Sequence, residues 1–263
     1  SVVLGSFFNP SIPWYPYQEY CIARLEIQTE ENKKLEQEEK PVMEYLKNAK
    51  KLVDAAKDAG CDAVKFQTHE FEDEVLNIDF TSPHFKARDR YSWVRRNTNA
   101  TPLEGFWKPI KKHCDARGIT FFSTPMSRKA AQKLNKIGVP FWKVGSGDIF
   151  DYVLLDYLAE TGKPIIFSTG MANLAEVHGV IQYLSKKKSP LVVLYCISKY
   201  PAPKEYFNLG TIEYLKEKYP KIIIGFSDHS LGHEVALVAV ALGAAVVEKH
   251  FSLARELPQI PHS

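Results

Sequence analysis

Two histidines, His229 and His250, stand at the polar ends of two short apolar runs and could together bind a metal ion. The interval between them has the length of one helix plus one strand. If the runs are neighbouring parallel strands, they lie about 4.8 Å apart, so both imidazoles can reach one divalent ion. A lone histidine at a strand end more often bonds to the backbone. The matching positions and the acidic neighbours Asp228 and Glu248 favour the metal site instead.

Strand-like and helix-like runs alternate along the chain, which predicts βα units around a parallel sheet. The predicted strands are 21–27, 63–67, 120–123, 141–144, 164–167, 191–196, 222–226 and 245–248. The predicted helices are 42–59, 102–117, 128–137, 152–161, 174–185, 209–219 and 234–242. We therefore expect an α/β fold, a closed (β/α)8 or TIM barrel formed by a single domain over residues 1–263, with an irregular extension at 1–20. Because the chain stops shortly after the eighth strand, the barrel is expected to be truncated before its last helix.

Composition narrows the class of protein. The chain has 263 residues, 45% hydrophobic content and a net charge of +3, with acids and bases interspersed rather than gathered into a basic stripe. Nucleic acid is therefore not an expected partner. Residues 1–20 lack the pattern of a signal peptide or a membrane span. The cysteines form no CxxC pair and are predicted to be reduced packing residues of a cytoplasmic protein; they are Cys21, Cys61, Cys114 and Cys196.

Polar residues gather where the predicted strands end, which is the end of a barrel that carries chemistry. Two lysines, several hydroxyl groups and glycines that expose backbone N–H groups are suited to hold an anion, most plausibly phosphate. The residues of this rim include Lys65, Gln67, Thr68, His69, Ser123, Thr124, Lys143, Ser146, Asp148, Ser168, Ser198, Tyr200, Ser227 and Glu248. The connection at 71–101 is long for a compact domain, so a functional loop, a lid or an interface is expected there.

Seven motifs in the same region follow one another in order. They are DAVKFQT at 62–68, FSTP at 122–125, WKVGSGD at 142–148, FSTGM at 167–171, SKYPAP at 198–203, GFSDHSLG at 225–232 and ALGAAVVEKHF at 241–251. In these motifs the chain resembles the N-acetylneuraminate (sialic acid) synthase family. Members of that family condense phosphoenolpyruvate with an N-acyl amino sugar to give a nonulosonic acid, and release phosphate. Outside the motifs, only Glu26-Ile27 matches the family's first-strand signature. We expect a catalytic barrel without the family's C-terminal antifreeze-like domain.

The resemblance implies a role for most of the rim residues. A divalent ion, Mn²⁺ most plausibly with Mg²⁺ or Co²⁺ as alternatives, would be held by His229 and His250. Glu26 or Glu248 would position the water that attacks the enol phosphate, although Glu248 could instead pair with Lys249 or anchor His250. The phosphoenolpyruvate-binding residues would be Lys65, Thr124, Lys143, Ser146, Ser168, Ser198 and Ser227, and the sugar-binding residues Gln67, Asp148 and Tyr200. A homodimer is expected.

Two other functions fit part of the pattern. A Schiff-base aldolase would use one barrel lysine to form an imine with a keto acid, and it would need no metal. A non-catalytic barrel would keep the phosphate site without turnover. The histidine pair favours the metal-assisted synthase over both.

Overall fold

The computed structural model describes residues 42–78 and 89–253, together with the backbone of 20–24. The strands are β1 Tyr20–Arg24, β2 Ala63–Thr68, β3 Thr120–Pro125, β4 Trp142–Val144, β5 Ile165–Ser168, β6 Leu191–Cys196, β7 Ile223–Asp228 and β8 Val246–His250. The helices are α1 Val42–Asp58, α2 Phe71–Glu74, α3 Arg90–Ala100, α4 Lys108–Arg117, α5 Arg128–Ile137, α6 Tyr152–Glu160, α7 Leu174–Ser185, α8 Gly210–Lys218 and α9 Glu234–Ala241. A π-helical turn, Leu103–Trp107, precedes α4, and a 3₁₀ turn, Lys204–Tyr206, precedes α8.

Every paired strand runs parallel to its neighbour, in the order β3-β2-β1-β8-β7-β6-β5-β4. The ends of this order, β3 and β4, lie beside each other, so the sheet is curled. The rings of Phe122 and Phe141 meet there with centroids 4.6 Å apart. The predicted parallel α/β fold is confirmed. Closure into a complete (β/α)8 barrel stays a prediction, because the hydrogen-bonded order of the described strands ends at β3 and β4.

Alternation of side chains along the strands produces two apolar layers. The larger layer lies between the sheet and the helices and includes the rings of Phe66, Phe121, Phe167 and Phe226. The smaller layer lies on the opposite face of the strands, inside the curl, and consists of Ala63, Phe122, Ile166, Val192, Leu194 and Val246. Within the described residues, none of the helices is both long and apolar enough to cross a membrane.

Helix starts and ends fix where the chain leaves the carboxyl ends of the strands and where it reaches the next strand. Ser127 begins α5 by accepting a hydrogen bond from the Ala130 N–H, and Asn173 begins α7 with a capping box that includes Glu176. Gly118 ends α4 in the left-handed conformation, φ +63°, which glycine adopts without strain. Local sequence signals therefore set these boundaries, and the predicted ranges 128–137, 174–185 and 191–196 are confirmed without change.

The connection after β2 differs from its prediction as one long loop, because it contains α2 and α3. Asp89 caps α3 by accepting from the Ser92 N–H, and Thr98 of α3 accepts from the Phe71 N–H at 3.2 Å. Helix α3 is polar and buries only Val94. Apolar periodicity is the main sequence signal for a helix, and α3 has too few apolar residues to show it.

Candidate functional site

A polar layer lies directly beyond the inner apolar layer of the sheet. Two residues further along five strands, the inner face changes from the apolar side chains to Lys65, Thr124, Ser168, Cys196 and Glu248. Because side chains two apart share a face, these residues continue the inner face of the curl beyond the apolar layer. Ser227 of β7 is the register partner of Cys196 and lies on the same face. Lys143 of β4 reaches this polar layer through its hydrogen bond to Ser168 Oγ. The structure thus brings five of the seven predicted anion-binding residues into this layer, and the other two, Ser146 and Ser198, lie beside it around Gly170.

Glu248 is the centre of this layer and lies between two lysines. Its Oε1 is 2.5 Å from Lys65 Nζ, and its Oε2 is 3.6 Å from Lys143 Nζ. Ser227 Oγ donates to Glu248 Oε2 at 2.9 Å, and Lys143 Nζ donates to Ser168 Oγ at 2.6 Å. All five side chains are buried. Two ammonium groups against one carboxylate leave an excess of one positive charge, which suits an anionic ligand.

The Thr124 hydroxyl adds an unused group to this layer. Its side chain is buried, and among the described residues its Oγ1 has no hydrogen-bond partner. A buried hydroxyl without a partner costs free energy, about 1–3 kcal/mol. A ligand oxygen in the layer would recover that cost.

The β5 and β6 side of the site is tightly packed around Gly170. The Gly170 N–H donates to Ser146 Oγ at 3.0 Å. A Cβ on Gly170 would overlap Ser198 Oγ and would lie 2.9 Å from Cys196 Sγ, so only glycine fits between them. Ser146 and Ser198 therefore flank the same backbone segment.

Cys196 belongs to the site wall, a position that its prediction as a packing residue did not anticipate. Its Sγ lies 3.7 Å from His229 Nδ1, and burial raises the pKa of the thiol. Only the alternation of β6, Val192, Leu194 and then Cys196, could have shown that this cysteine faces the interior. The three described cysteines are free thiols, as predicted.

The predicted metal ligands lie next to each other at the mouth. The ring centroids of His229 and His250 are 5.1 Å apart. His229 Nδ1 donates to the Ile197 carbonyl at 2.8 Å, which leaves Nε2 as the coordinating atom. Since a metal–nitrogen bond is about 2.1 Å long, two rings at this separation can share one ion. Within the described residues no group of three or more metal-binding side chains is present, so solvent or ligand oxygens would have to complete the shell.

Glu248 does not pair with Lys249, and this alternative is wrong. Lys249 Nζ instead contacts Asp228 Oδ2 at 2.5 Å and donates to the Ser230 carbonyl at 2.7 Å. Adjacent strand residues point to opposite faces, so Lys249 faces away from the interior that contains Glu248.

The candidate sugar-binding residues lie nearer to solvent. Gln67 is half-buried, with its Nε2 3.9 Å from Met126 Sδ, and Tyr200 is 39% exposed with its ring centroid 4.1 Å from that of His229. Burial raises the pKa of Asp148 to about 6, and the carboxylates of Glu74 and Asp151 add to the shift. The candidate catalytic residue Glu26 lies outside the described residues.

Comparisons with known proteins agree on one family. The NeuB family model matches residues 52–263. An uncharacterized protein of Methanocaldococcus jannaschii is 38% identical over 81% of this chain and 60% of its own length. The N,N'-diacetyllegionaminic acid synthase of Campylobacter jejuni is 34% identical over 82% of this chain and 66% of its own length. The chain therefore spans less than two thirds of the length of these curated relatives.

A solved structure is similar across the same region. The N-acetylneuraminic acid synthetase of Leptospira borgpetersenii, crystallised with citrate, superposes with a TM-score of 0.71 and 33% identity. The alignment covers 82% of this chain and 72% of that one.

Proposed function

Because the chain belongs to the NeuB family, we propose that it condenses phosphoenolpyruvate with an N-acyl amino sugar to give a nonulosonic acid and phosphate. The names of its relatives support a product of this class, since one makes N,N'-diacetyllegionaminic acid and another is an N-acetylneuraminic acid synthetase. The fold is proposed to close into a full (β/α)8 barrel and to act as a homodimer.

The observation that carries the proposal is the Lys65–Glu248–Lys143 cluster beneath two imidazoles. Phosphoenolpyruvate carries a phosphate and a carboxylate, and both need cationic and hydroxyl partners. In the proposed complex Lys65 and Lys143 bind these groups, with hydroxyl and backbone donors around them. Those donors come from Thr124, Ser146, Ser168, Ser198 and Ser227.

The residues of the cluster also suit the chemistry of the step. Lys65 and Lys143 hold the enol so that its C3 forms a bond to the sugar's aldehyde carbon, which leaves C2 electron-deficient. The π pair of the aldehyde carbonyl passes to its oxygen, which takes up a proton from solvent and becomes a hydroxyl group. Glu248 or Glu26 positions a water molecule and accepts its proton as the oxygen bonds to C2. The C2–O bond to phosphate then breaks as the new C2 hydroxyl group loses its proton and becomes the ketone carbonyl, and the lysines stabilise the phosphate that leaves.

His229 and His250 would hold a divalent ion, which we propose to be Mn²⁺, with Mg²⁺ or Co²⁺ as alternatives. Their donor set fits, because the Ile197 carbonyl fixes the tautomer of His229 and the two rings lie side by side. When bound, the ion would supply a Lewis acid that polarises the aldehyde oxygen. Gln67, Asp148 and Tyr200 would orient the sugar at the wider, more exposed end of the site.

The direct test is phosphate release with phosphoenolpyruvate, Mn²⁺ and a panel of N-acyl amino sugars. Lys143→Met should weaken phosphoenolpyruvate binding by about 100-fold, because it removes a buried ammonium that makes charge-assisted bonds. Lys136→Met, on the outer helix α5, is the matched control and should change binding less than twofold. Equal effects of the two variants would contradict the site. Reduction by borohydride of a pyruvate adduct on lysine would instead indicate the aldolase, and binding without turnover of any sugar would indicate the non-catalytic barrel.

A further inference from the structure

We propose that His69, oriented by Glu74, is a specificity-determining residue that accepts a hydrogen bond from a hydroxyl group of the sugar. This inference rests on the proposed function, and it concerns a residue for which the resemblance supplies no role.

The position of His69 follows from the alternation of β2. Lys65 and Gln67 lie on the inner face of this strand, and His69 is the next residue of the same parity, just past the strand end. The site therefore continues upward from the anion layer through Gln67 to this imidazole. His69 is buried and its ring meets Trp93 edge-on, with centroids 5.1 Å apart.

Glu74 fixes the tautomer of that imidazole. His69 Nδ1 lies 2.8 Å from Glu74 Oε2 and 3.0 Å from Oε1. A carboxylate can only accept, so Nδ1 carries the proton and donates it. In the neutral ring Nε2 is then an acceptor, and a sugar hydroxyl is a suitable donor to it.

The carboxylate that orients His69 is itself held in place. The Glu74 side chain is 3% exposed, and its Oε1 lies 3.6 Å from Arg90 Nη2. Its helix, α2, is tied to α5 because Asp73 Oδ2 accepts from the Lys129 N–H at 2.8 Å. A histidine that only packs in the core would not require such a fixed partner. A histidine that accepts a hydrogen bond from one direction does, because its ring must be held in one orientation.

Electrostatics place this pair beside a proposed sugar contact. After burial, the carboxylate of Glu74 is the largest cause of the raised pKa of Asp148, so the two carboxyl groups are close enough to repel each other. Asp151 acts in the same direction, while Lys143 and Arg90 oppose it. A polyhydroxylated ligand between His69 and Asp148 would meet one imidazole and one carboxyl group. Sites of this type reject analogues that lack the hydroxyl group, because a buried acceptor is then left without a donor.

The chain supplies a matched control on its outer surface. His113 Nε2 pairs with Asp54 Oδ1 at 2.8 Å, between α4 and α1. It is the same type of histidine–carboxylate pair, but it lies among the outer helices.

The experiment compares His69→Asn with His113→Asn in steady-state kinetics with the preferred sugar, phosphoenolpyruvate and Mn²⁺. His69→Asn should raise KM for the sugar about tenfold, the loss expected for one hydrogen bond, and should leave KM for phosphoenolpyruvate within twofold. His113→Asn should leave both unchanged. A sugar analogue that lacks the contacted hydroxyl group should show no further loss with His69→Asn.

Glu74→Gln provides a second readout that does not depend on how His69→Asn folds. It removes a carboxylate that raises the pKa of Asp148, so the acidic limb of the KM profile for the sugar should move to lower pH. Unshifted profiles together with equal KM values for His69→Asn and His113→Asn would overturn the role of His69 alone. An unaltered protein that makes no product from any sugar would overturn the proposed function and this inference with it.

Discussion

Two layers inside the curled sheet lie next to each other and have opposite character. Along five strands the inner side chain changes within two residues, about 6.6 Å. The changes are Ala63 to Lys65, Phe122 to Thr124, Ile166 to Ser168, Leu194 to Cys196 and Val246 to Glu248. The lower layer contributes burial, about 1.5–3 kcal/mol for each large side chain. The upper layer buries little apolar surface and instead contains the ion pairs of Glu248 with Lys65 and Lys143. Along the same strands, the lower layer therefore contributes to stability and the upper layer to the proposed ligand binding.

The largest effect we expect is loss of metal from the mouth without loss of the fold. His229→Ala or His250→Ala removes one of two imidazole ligands and should abolish stoichiometric Mn²⁺ binding, measured by calorimetry and metal analysis. His178→Ala is the control, because the His178 ring lies on α7 and bonds to the Tyr219 hydroxyl outside the site. This variant should keep its metal. Unchanged metal content in both site variants would contradict the proposed centre.

Phe122→Ala tests the lower, apolar layer, where we expect a loss of stability rather than a loss of ligand binding. Phe122 is fully buried against Phe141, so its truncation should lower the free energy of unfolding by about 3–5 kcal/mol. Phosphoenolpyruvate affinity of the folded fraction should be retained. Phe150→Ala, at a side chain that is 41% exposed, should cost far less in the same denaturant titration. Similar costs at both positions would mean that the inner layer is not a core.

Glu248→Gln should destabilise the upper layer in a way that an anion can reverse. The substitution leaves Lys65 and Lys143 buried without their carboxylate, which should cost about 3 kcal/mol. Saturating phosphate should restore much of the loss in thermal unfolding by supplying the missing negative charge. Asp58→Asn, which breaks an exposed pair with Arg117, should cost less than about 1 kcal/mol and respond little to phosphate. A phosphate effect of equal size in both variants would argue against a specific anion layer.

The smallest effect concerns Asp148 and depends on pH. Because its pKa in the folded protein is raised to about 6, above its ordinary value, the proton bound to Asp148 stabilises the fold at low pH. That contribution is complete below about pH 4 and is lost as the pH rises through 6. Asp148→Asn should therefore stabilise the protein by about 1–2 kcal/mol above pH 7 and give no gain below pH 4. Unfolding curves at both pH values check this, and a gain that does not vary with pH would contradict the assignment.

The sequence was sufficient to predict the strand positions because buried strands are continuous apolar runs bounded by glycine, proline and capping residues. It predicted β6 at 191–196 and α5 at 128–137 without error. It also predicted which polar residues follow each strand. For these elements local chemistry and the final fold agree.

What it could not predict are contacts made between distant segments. The pairing of Glu248 with Lys65 depends on the register of β8 and β2 on β1, which no local pattern specifies. Cys196 looked like any small apolar residue, since its role follows from the parity of β6 relative to its neighbours. Helix α2 has only four residues and too few apolar positions to show a period, so the Glu74 carboxylate beside His69 could not be foreseen.

The ion pair between Asp228 and Lys249 bears on the fidelity of folding. The two residues are register partners on the face opposite to Ser227 and Glu248. A slip of β8 by one residue would turn Lys249 toward the interior and Glu248 toward the apolar helix layer, and both charges would lose their partners. A misaligned chain is thus penalised on both faces of the sheet at once. The register that pairs Asp228 with Lys249 is the same register that places Glu248 in the site. A molecule that folds with this alignment should therefore also have its anion layer in place.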